Sequence, residues 1–485
     1  MKVRDLEPAL VWRFFDSITE IPRRSKMEDK MVAFMENFAA EHGLRIRKDG
    51  ANNILITKPA ATGLERVKPV ILQSHLDMVC DDEEGLNFNF DTDPIKTYVK
   101  AGFVKARGTT LGADNGLGIA ASLAVLASSD IVHGPLGCLF TTDEESGMTG
   151  AHDLDESFLS GYDILINLDN EKWGDFCIGC AGGKTVRGLF DYDEEPAAKG
   201  YHWFEVKVDG LKGGHSGCDI HLGRGNANKI LVRYLRALRK ECSVLLSNID
   251  GGKNHNGISR HAVAVVGVPV SYRERATVLL NLLQSDLLKE LSKPDPGVEL
   301  TISTVNAPKT AIDGDTARRL LDTLYAIPHG VIGMSHDIKG LVETSTNLAS
   351  IKMEGGVITV VTSQRSSTSS LLTDVCDMVI STFELGGAKV VEEDPYPSWR
   401  PDTDSEILKL CRSVFERQFG FTPVVSAVHA GLECGLFLRK HPRLDSISFG
   451  PTIIDAHSPS ERVEIASVGK WWLFLKDLLR AIPAR

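Results

Sequence analysis

A histidine and a carboxylate stand two positions apart at the end of an apolar run early in the chain. His75 and Asp77 follow the apolar residues 70–72, where a buried strand is expected to end. Alternate residues of a strand point to the same face, so both side chains can reach one point in space. A carboxylate behind a metal-bound imidazole fixes the tautomer of the ring and raises its basicity. The pair therefore predicts half of a metal site, provided that further ligands follow downstream.

Further histidine and acidic positions complete a candidate metal constellation. They are Asp114, Glu144, Glu145, Asp169 and His457. Imidazole nitrogen and carboxylate oxygen suit borderline divalent ions such as zinc. Two histidines and three carboxylates suffice for two ions if one carboxylate bridges them. Two ions about 3.5–4 Å apart can polarise a carbonyl group and activate water, so the set predicts metal-assisted hydrolysis.

The surroundings of three of these carboxylates suggest a division of roles. Asp114 stands among small residues in the segment 111–116, where the backbone can turn sharply beside an ion, and this suits a bridging ligand. Glu144 and Glu145 are adjacent, and burying both is costly unless a cation or a proton resolves their repulsion. We expect Glu145 to bind metal and Glu144 to act as the general base, which moves a proton from water to the leaving amine.

Each cluster also has a purely structural explanation. The acidic residues 143–145 suit the first turn of a solvated helix, Asp169 suits a turn at a strand end, and His457 suits an ordinary loop. The metal site is favoured when the clusters are taken together, because each is expected to follow a strand of the same sheet.

The elements that must position these residues alternate between helix and strand in the first part of the chain. Helices are predicted at 10–18, 30–42 and 116–127, and strands at 53–57, 70–73, 137–142 and 164–168. This alternation predicts an α/β fold with a mixed, mostly parallel sheet flanked by helices. Ligands of open α/β sheets bind at the carboxyl ends of the strands, which is where the chemical clusters stand.

The pattern changes from about residue 190 and changes back near residue 396. Between them, strands are predicted at 203–208, 258–270 and 358–362, and a helix at 226–238. These segments predict an inserted α+β lid or dimerisation domain over 188–395, in which 207–238 and 313–361 could be an internal duplication. A helix at 406–419 and a final helix ending at 482 return to the first domain, which is therefore discontinuous (1–187 and 396–485).

Composition narrows the class of protein. The chain has 485 residues, more than one hydrophobic core usually supports. A formal charge of −11 disfavours binding to nucleic acid. The first residues lack a signal-peptide pattern and no apolar run approaches the ~20 residues of a membrane span. The close pair Cys177 and Cys180 has no second pair to complete a zinc site and is expected in the core. These features predict a cytoplasmic enzyme without membrane partners.

The chemical motifs resemble those of a known family. The motifs are His75-x-Asp77, residues 112–116 around Asp114, residues 143–145, Asp169 and residues 457–459. In order and context they resemble the di-zinc exopeptidases of the aminoacylase and carboxypeptidase G type, and the resemblance extends over essentially the full length. It implies a zinc exopeptidase-like catalytic domain that carries an inserted lid.

The resemblance also implies a ligand set. His75 and Asp169 would hold one ion, Glu145 and His457 the second, and Asp114 would bridge them; a pairing of His75 with Glu145 or His457 is left open. Asp77 would orient His75, and Glu144 would be the catalytic base. The peptide bond after Asp114 would be cis.

Substrate contacts are implied by the same resemblance. His215, in a glycine-rich turn of the insert, would stabilise the oxyanion of the tetrahedral intermediate. Asn256 and Arg365 would grip the terminal carboxylate of the substrate, for which arginine offers a bidentate fork. Gly431 and Glu433 would belong to a loop that faces the substrate.

Within the family, the long insert and the segments 21–25 and 168–171 resemble the aminoacyl-histidine dipeptidases. The function implied is a metallo-dipeptidase that cleaves unblocked dipeptides, including Xaa-His dipeptides such as carnosine, by metal-activated water. Its cofactors would be two divalent ions, zinc first, with manganese and cobalt as alternatives. An N-acyl amino acid deacylase or an aminotripeptidase on the same scaffold is the alternative, and an inactive binding protein is a remote one. A homodimer is left open.

Overall fold

The computed structural model describes residues 2–393 and 395–485. The chain divides into two compact units. The first comprises Met1–Gly179, Pro401–Ala427 and Leu432–Arg485, and the second comprises Cys180–Arg400 and Val428–Gly431. Met1 and Asp394, which the predicted domain ranges include, lie outside the described residues.

The boundaries of the units differ from the predicted ones at 187/188 and 395/396. Residues 180–187 and 396–400 belong to the second unit. The reason is local pairing: Gly183 forms a β-bridge with Tyr396, and Cys180 forms one with Trp399. A lid or dimerisation role for the second unit stays a prediction.

The helices of the described residues are α1 (Ala9–Thr19), α2 (Asp29–Glu41), α3 (Ala113–Ala127), α4 (Glu144–Gly147), α5 (Thr149–Asp153), α6 (Ala227–Arg239), α7 (Arg273–Glu290), α8 (Gly314–Ala326), α9 (Ser369–Leu385), α10 (Glu406–Phe419), α11 (Glu433–Lys440) and α12 (Ile465–Ala481). Short 3-10 helices occur at Val3–Asp5, Glu156–Phe158, Ile220–Leu222 and Val270–Tyr272.

The strands are β1 (Arg45–Lys48), β2 (Ile54–Lys58), β3 (Val70–His75), β4 (Thr97–Lys100), β5 (Phe103–Ala106), β6 (Leu136–Thr141), β7 (Ile164–Asn167), β8 (Asp175–Cys180), β9 (Gly182–Asp191), β10 (Glu194–Pro196), β11 (Tyr201–Asp209), β12 (Gly214–His215), β13 (Leu245–Gly251), β14 (Gly257–Ile258), β15 (Ala262–Pro269), β16 (Glu299–Thr304), β17 (Thr310–Ile312), β18 (Gly330–Met334), β19 (Val342–Glu354), β20 (Val357–Ser366), β21 (Lys389–Glu392), β22 (Val424–Val428), β23 (Asp445–Ser448), β24 (Ile453–Ile454) and β25 (Arg462–Glu464).

An eight-stranded sheet organises the first unit. Its strand order is β1-β2-β6-β3-β7-β23-β8-β22. The central strands β6, β3, β7 and β23 pair in parallel, whereas β1, β2 and β8 pair antiparallel with their neighbours. The predicted mixed α/β fold is confirmed, with parallel pairing among the four central strands.

The central strands are apolar because they are covered on both faces. All residues of β3, β6 and β7 are buried, as expected for parallel strands between two layers of helices. Helix α3 is rich in glycine and alanine, and its residues 113–126 are all buried. In β3, β6 and β7 the polar residues lie toward the carboxyl ends, the edge at which open α/β sheets bind ligands.

The prediction that every cluster follows a strand of this one sheet is wrong for His457. His457 follows β24, which belongs to a separate four-stranded sheet of order β24-β25-β5-β4. The same unit therefore brings its candidate ligands from two sheets and from the start of helix α3.

The nine-stranded sheet of the second unit contains one topology twice. The first half follows the chain order β11-α6-β13-β15-α7-β16, and its strands lie side by side in the order β16-β11-β15-β13. The second half follows the chain order β9-α8-β19-β20-α9-β21, and its strands lie in the order β19-β20-β9-β21. The halves meet where β13 pairs antiparallel with β19, at Gly251 and Ile351. Each half is a βαββαβ unit, and the first is inserted after the first strand of the second. Duplication of the sequence itself stays a prediction.

Two smaller expectations can be compared with the structure. The strand predicted over 258–270 is split into β14 and β15, because the carbonyl of Ser259 accepts the N–H of Ala227 at the start of α6. Cys177 and Cys180 are buried. Among residues 2–393 and 395–485, no helix combines the length and the apolarity needed to cross a membrane.

Candidate metal centre

The carboxylate of Asp114 lies between two imidazole rings. Its Oδ1 is 3.1 Å from Nε2 of His75, and its Oδ2 is 2.9 Å from Nε2 of His457. Each of these nitrogens has a second carboxylate partner: Asp169 Oδ1 lies 3.3 Å from His75, and Glu145 Oε2 lies 3.2 Å from His457. The five predicted ligands thus form two groups that share Asp114. The peptide bond between Asp114 and Asn115 is cis.

The donor set fits divalent cations. Ligand atoms of His75, Asp114 and Asp169 lie within 4.8 Å of one another. Burial and the neighbouring charge of Asp114 raise the pKa of Asp169 to about 6, although His75 opposes this. Hydrogen bonds with Asp114 and Glu145 raise the pKa of His457 to about 11. A cation bound by these nitrogens and oxygens would displace the protons that His457 and Asp169 hold.

Asp77 connects His75 to the turn that carries the glutamates. Its Oδ1 lies 3.2 Å from Nδ1 of His75. The same carboxylate accepts the backbone N–H groups of Glu144 and Glu145 at 3.0 and 3.1 Å, and the hydroxyl of Ser25 at 2.7 Å. Burial alone would raise the pKa of Asp77, but His75 and these donors lower it to about 2. This geometry suits a residue that orients a ligand.

Glu144 and Glu145 begin the short helix α4 directly after β6. Asp143, the residue before them, has a φ of +52°, so the chain turns sharply at the end of the strand. Oxygen atoms of both glutamates lie close to His75, while only Glu145 pairs with His457. Burial raises the pKa of Glu144 well above its usual value, and the charges of Asp169 and Glu145 act in the same direction. A carboxylate that holds a proton readily suits the base role.

Comparison with known proteins identifies the family. The family model described as "Peptidase family M20/M25/M40" matches residues 71–481. The chain belongs to this family. It is therefore a peptidase, a hydrolase that acts on peptide bonds, and the resemblance seen in its motifs is confirmed.

Individual relatives cover the peptidase from end to end. "Cytosol non-specific dipeptidase" of Escherichia coli (strain K12) is 41% identical over 484 residues, which is 100% of both chains. The crystal structure of aminoacylhistidine dipeptidase from Vibrio alginolyticus is also 41% identical, with a TM-score of 0.92 over 100% of this chain and 99% of that one. Human carnosine dipeptidase 1 shares the fold, with a TM-score of 0.51 and 14% identity over 97% and 96% of the two chains.

Arg23 is a buried residue of the peptidase and lies in the segment 21–25. The sequence predicted no role for it. Its Nη1 donates to the carbonyls of Leu76 and Asp77, at 3.0 and 2.5 Å, and its Nη2 donates to the carbonyl of Gly112. Arg23 thereby ties the end of β3 to the loop before Asp114. These three hydrogen bonds go to backbone carbonyls, so no pattern of side chains pointed to them.

Two further carboxylates lie beside the candidate ligands. Glu433, at the start of α11, is 2% exposed, and its Oε2 accepts from Gln73 Nε2 at 2.6 Å and from Thr141 Oγ1 at 2.9 Å. Burial raises the pKa values of Glu433 and Glu171 to about 8 each. Ligand atoms of Glu171 lie with those of Asp114 and His457, although the sequence did not single Glu171 out as a ligand.

The remaining predicted site residues belong to the second unit. Nδ1 of His215 accepts the N–H groups of Gly217 and Cys218 at 3.2 and 3.1 Å, so the proton of the neutral ring is on Nε2. Burial lowers the pKa of His215, and the charge of Arg365 acts in the same direction.

Arg365 and Asn256 are brought together within the second unit. Arg365 Nη2 donates to Asn256 Oδ1 at 3.0 Å, and its Nη1 donates to Tyr396 Oη at 2.5 Å. Gly431 also belongs to this unit, whereas Glu433 belongs to the first. Glu433 begins helix α11, so the predicted loop that contains both residues ends at Leu432.

Proposed function

We propose that this peptidase is a metal-dependent dipeptidase that hydrolyses unblocked dipeptides, including Xaa-His dipeptides such as carnosine. The observation that carries the proposal is the position of Asp114, whose two oxygens each face one imidazole and one of the two groups of ligands. The names of the two relatives at 41% identity, a non-specific dipeptidase and an aminoacylhistidine dipeptidase, support the class of substrate.

In this proposal the five ligands divide between two divalent ions. His75 and Asp169 hold one ion, His457 and Glu145 hold the other, and Asp114 is shared. Zinc is the first choice, and manganese and cobalt suit the same donors. Such ions, when bound, polarise a scissile carbonyl and lower the pKa of water.

The chain's own residues move the proton. Glu144 accepts it on a carboxylate oxygen from the attacking water and delivers it to the nitrogen of the leaving amine. Asp77 keeps the His75 ring in one orientation through Nδ1, and it holds the backbone of Glu144 and Glu145 at the same time. One carboxylate therefore sets the positions of both a ligand and the base.

Substrate recognition is assigned to the remaining predicted residues. His215 donates from Nε2 to the negative charge that develops on the carbonyl oxygen. Arg365, held by Asn256 and Tyr396, pairs with the terminal carboxylate of the dipeptide. Gly431 and Glu433 face the substrate. A cytoplasmic location completes the proposal. Light scattering on the purified chain tests the homodimer that the sequence left open.

The decisive test is an activity assay of the purified chain reconstituted with zinc, manganese or cobalt. Carnosine and other unblocked dipeptides are compared with the same dipeptides N-acetylated, with N-acetyl amino acids and with tripeptides. We expect hydrolysis of the unblocked dipeptides, two bound ions per chain by elemental analysis, and a kcat about 10²–10⁴-fold lower in a matched Glu144→Gln preparation. Hydrolysis of only acetylated amino acids or only tripeptides would overturn the substrate class, and bound metal without any hydrolysis would overturn the enzyme.

A further inference from the structure

The side chain of Glu461 binds the backbone of the loop that carries Asp114. Its Oε2 accepts the backbone N–H groups of Leu111 and Gly112 at 2.7 and 2.9 Å, and its Oε1 accepts those of Ala113 and Asp114 at 2.8 and 3.3 Å. The side chain is 2% exposed. Four successive amides of one loop thus converge on a single buried carboxylate.

The loop has the backbone conformation of an anion-binding concavity. Gly112 has a φ of +67° and directly precedes the first turn of α3, so successive N–H groups point to one side. Each of the two Glu461 oxygens accepts two of these hydrogen bonds, as a carboxylate with its several acceptor sites can. The chain therefore fills its own anion site with a side chain.

The opposite side of the same loop is also held. The carbonyl of Gly112 accepts from Arg23, which binds the end of β3 as well. A Cβ atom at position 112 would lie 2.5 Å from Arg23 Nη2 and 2.8 Å from Met78 Sδ. The loop is thus fixed between a buried guanidinium on its carbonyl side and a buried carboxylate on its amide side.

Glu461 also stands in the turn that carries His457. Its own N–H donates to the carbonyl of Ser458 at 3.0 Å, and β25 begins at the next residue. His457 Nε2 reaches Asp114 Oδ2 directly. The His457 turn and the Asp114 loop are consequently joined twice, once through the candidate ligands and once through Glu461.

We propose that Glu461 is a positioning residue that sets the distance between Asp114 and His457 and thereby the affinity for the ion that these two share. The inference rests on the proposed function, since it needs those residues to bind metal. Groups that hold metal ligands in place typically change metal affinity about 10–100-fold when they are removed. In the part of the chain that the structure describes, the hydrogen bonds of the Glu461 side chain go to backbone amides, so its effect is transmitted through the backbone of the loop.

The test compares Glu461→Gln with Glu464→Gln, a matched carboxylate of the same segment that makes none of these loop contacts. In Glu461→Gln an amide NH2 group would face backbone donors, so the loop loses at least one acceptor. Binding of zinc or cobalt is measured by competition with a chromophoric chelator, and folding by circular dichroism. We expect one of the two ions to bind about 10–100-fold more weakly in Glu461→Gln and unchanged binding in Glu464→Gln. Wild-type affinity for both ions in Glu461→Gln would overturn the inference.

A rescue experiment separates positioning from general damage. Glu461→Ala vacates the anion site, and added formate supplies a small carboxylate that fits between the four amides. We expect formate to restore metal affinity in Glu461→Ala in a concentration-dependent manner and to leave Glu464→Ala unaffected. A folded Glu461→Ala that formate does not change would overturn the inference; if this variant does not fold, the Glu461→Gln comparison decides. Failure of the wild-type chain to bind two ions would overturn the proposed function instead.

Discussion

The division of labour between Glu144 and Glu145 leads to the sharpest prediction. We expect Glu144→Gln to retain both metal ions and to lose catalysis, and Glu145→Gln to lose metal. The two substitutions are chemically identical, are adjacent in the chain and remove one negative charge each. Any difference between them therefore reports on position, because Glu145 pairs with His457 and Glu144 does not in the described contacts.

The expected magnitudes follow from these contacts. A positioned general base contributes about 10²–10⁴-fold to the rate, which corresponds to roughly 2.7–5.5 kcal/mol of transition-state stabilisation. Glu144→Gln should lower kcat by this factor with little change in KM. Glu145→Gln removes one of the two carboxylates near Nε2 of His457, at 3.2 Å, and leaves Asp114 at 2.9 Å. Metal occupancy should therefore fall by about one ion per chain.

The assay measures kcat and KM on an unblocked dipeptide together with elemental analysis of the dialysed protein. Excess zinc is then added to each variant. Recovery of rate is expected for Glu145→Gln, whose defect is occupancy, and no recovery is expected for Glu144→Gln. Loss of metal from Glu144→Gln with full occupancy in Glu145→Gln would refute the assignment of the two roles.

Three other perturbations have defined outcomes. Asp77→Asn should lower kcat about 10–100-fold while total metal content changes less, because the His75 ring keeps its ligand atom and loses its orienting partner; metal analysis beside kinetics checks this. Removal of metal by a chelator should abolish hydrolysis and lower the midpoint of thermal unfolding, and adding zinc should restore both, since an ion that binds only the folded chain stabilises it. Acid should destabilise the fold through His329, because burial, and secondarily Lys229, lowers its pKa to about 4 while the unfolded chain takes up a proton below about 6.5. The stability that neutral His329 contributes is present above about pH 6.5 and is lost as the pH falls toward 4, by about 2–3 kcal/mol at pH 4.5. The thermal midpoints of wild type and His329→Gln should therefore differ at pH 7 and converge at pH 4.5. An equal difference at both pH values would contradict the prediction.

Element positions were predictable where the signal is local. Helix α10 coincides with its predicted range, and both of its ends carry local caps: Ser405 Oγ accepts the N–H of Leu408, and Gly420 follows with a φ of +76°. Strand β3 was recognised from its apolar run, which burial on both faces explains. The split of the strand predicted over 258–270 depends on a distant hydrogen bond from Ala227 to Ser259. No local pattern carries that contact.

The same distinction applies to the site. The candidate ligands were found because only a few side chains can bind a divalent ion, so His75, Asp114 and His457 are informative by identity alone. Arg23 and Glu461 act on backbone carbonyls and amides, which every residue type supplies. The identity of the partner residues therefore does not indicate these contacts in the sequence, and only the three-dimensional structure shows them.

This difference explains why the unpredicted residues deserve direct tests. A ligand set recognised from its residue types says which atoms can bind an ion, and the affinity depends on how firmly those atoms are placed. In this chain the placement of Asp114 rests on a buried arginine and a buried glutamate that bind opposite sides of one loop. If Glu461→Gln leaves metal binding unchanged, Arg23 alone suffices to hold the loop; if it weakens binding, the two buried charges act together on the residue that both ions share.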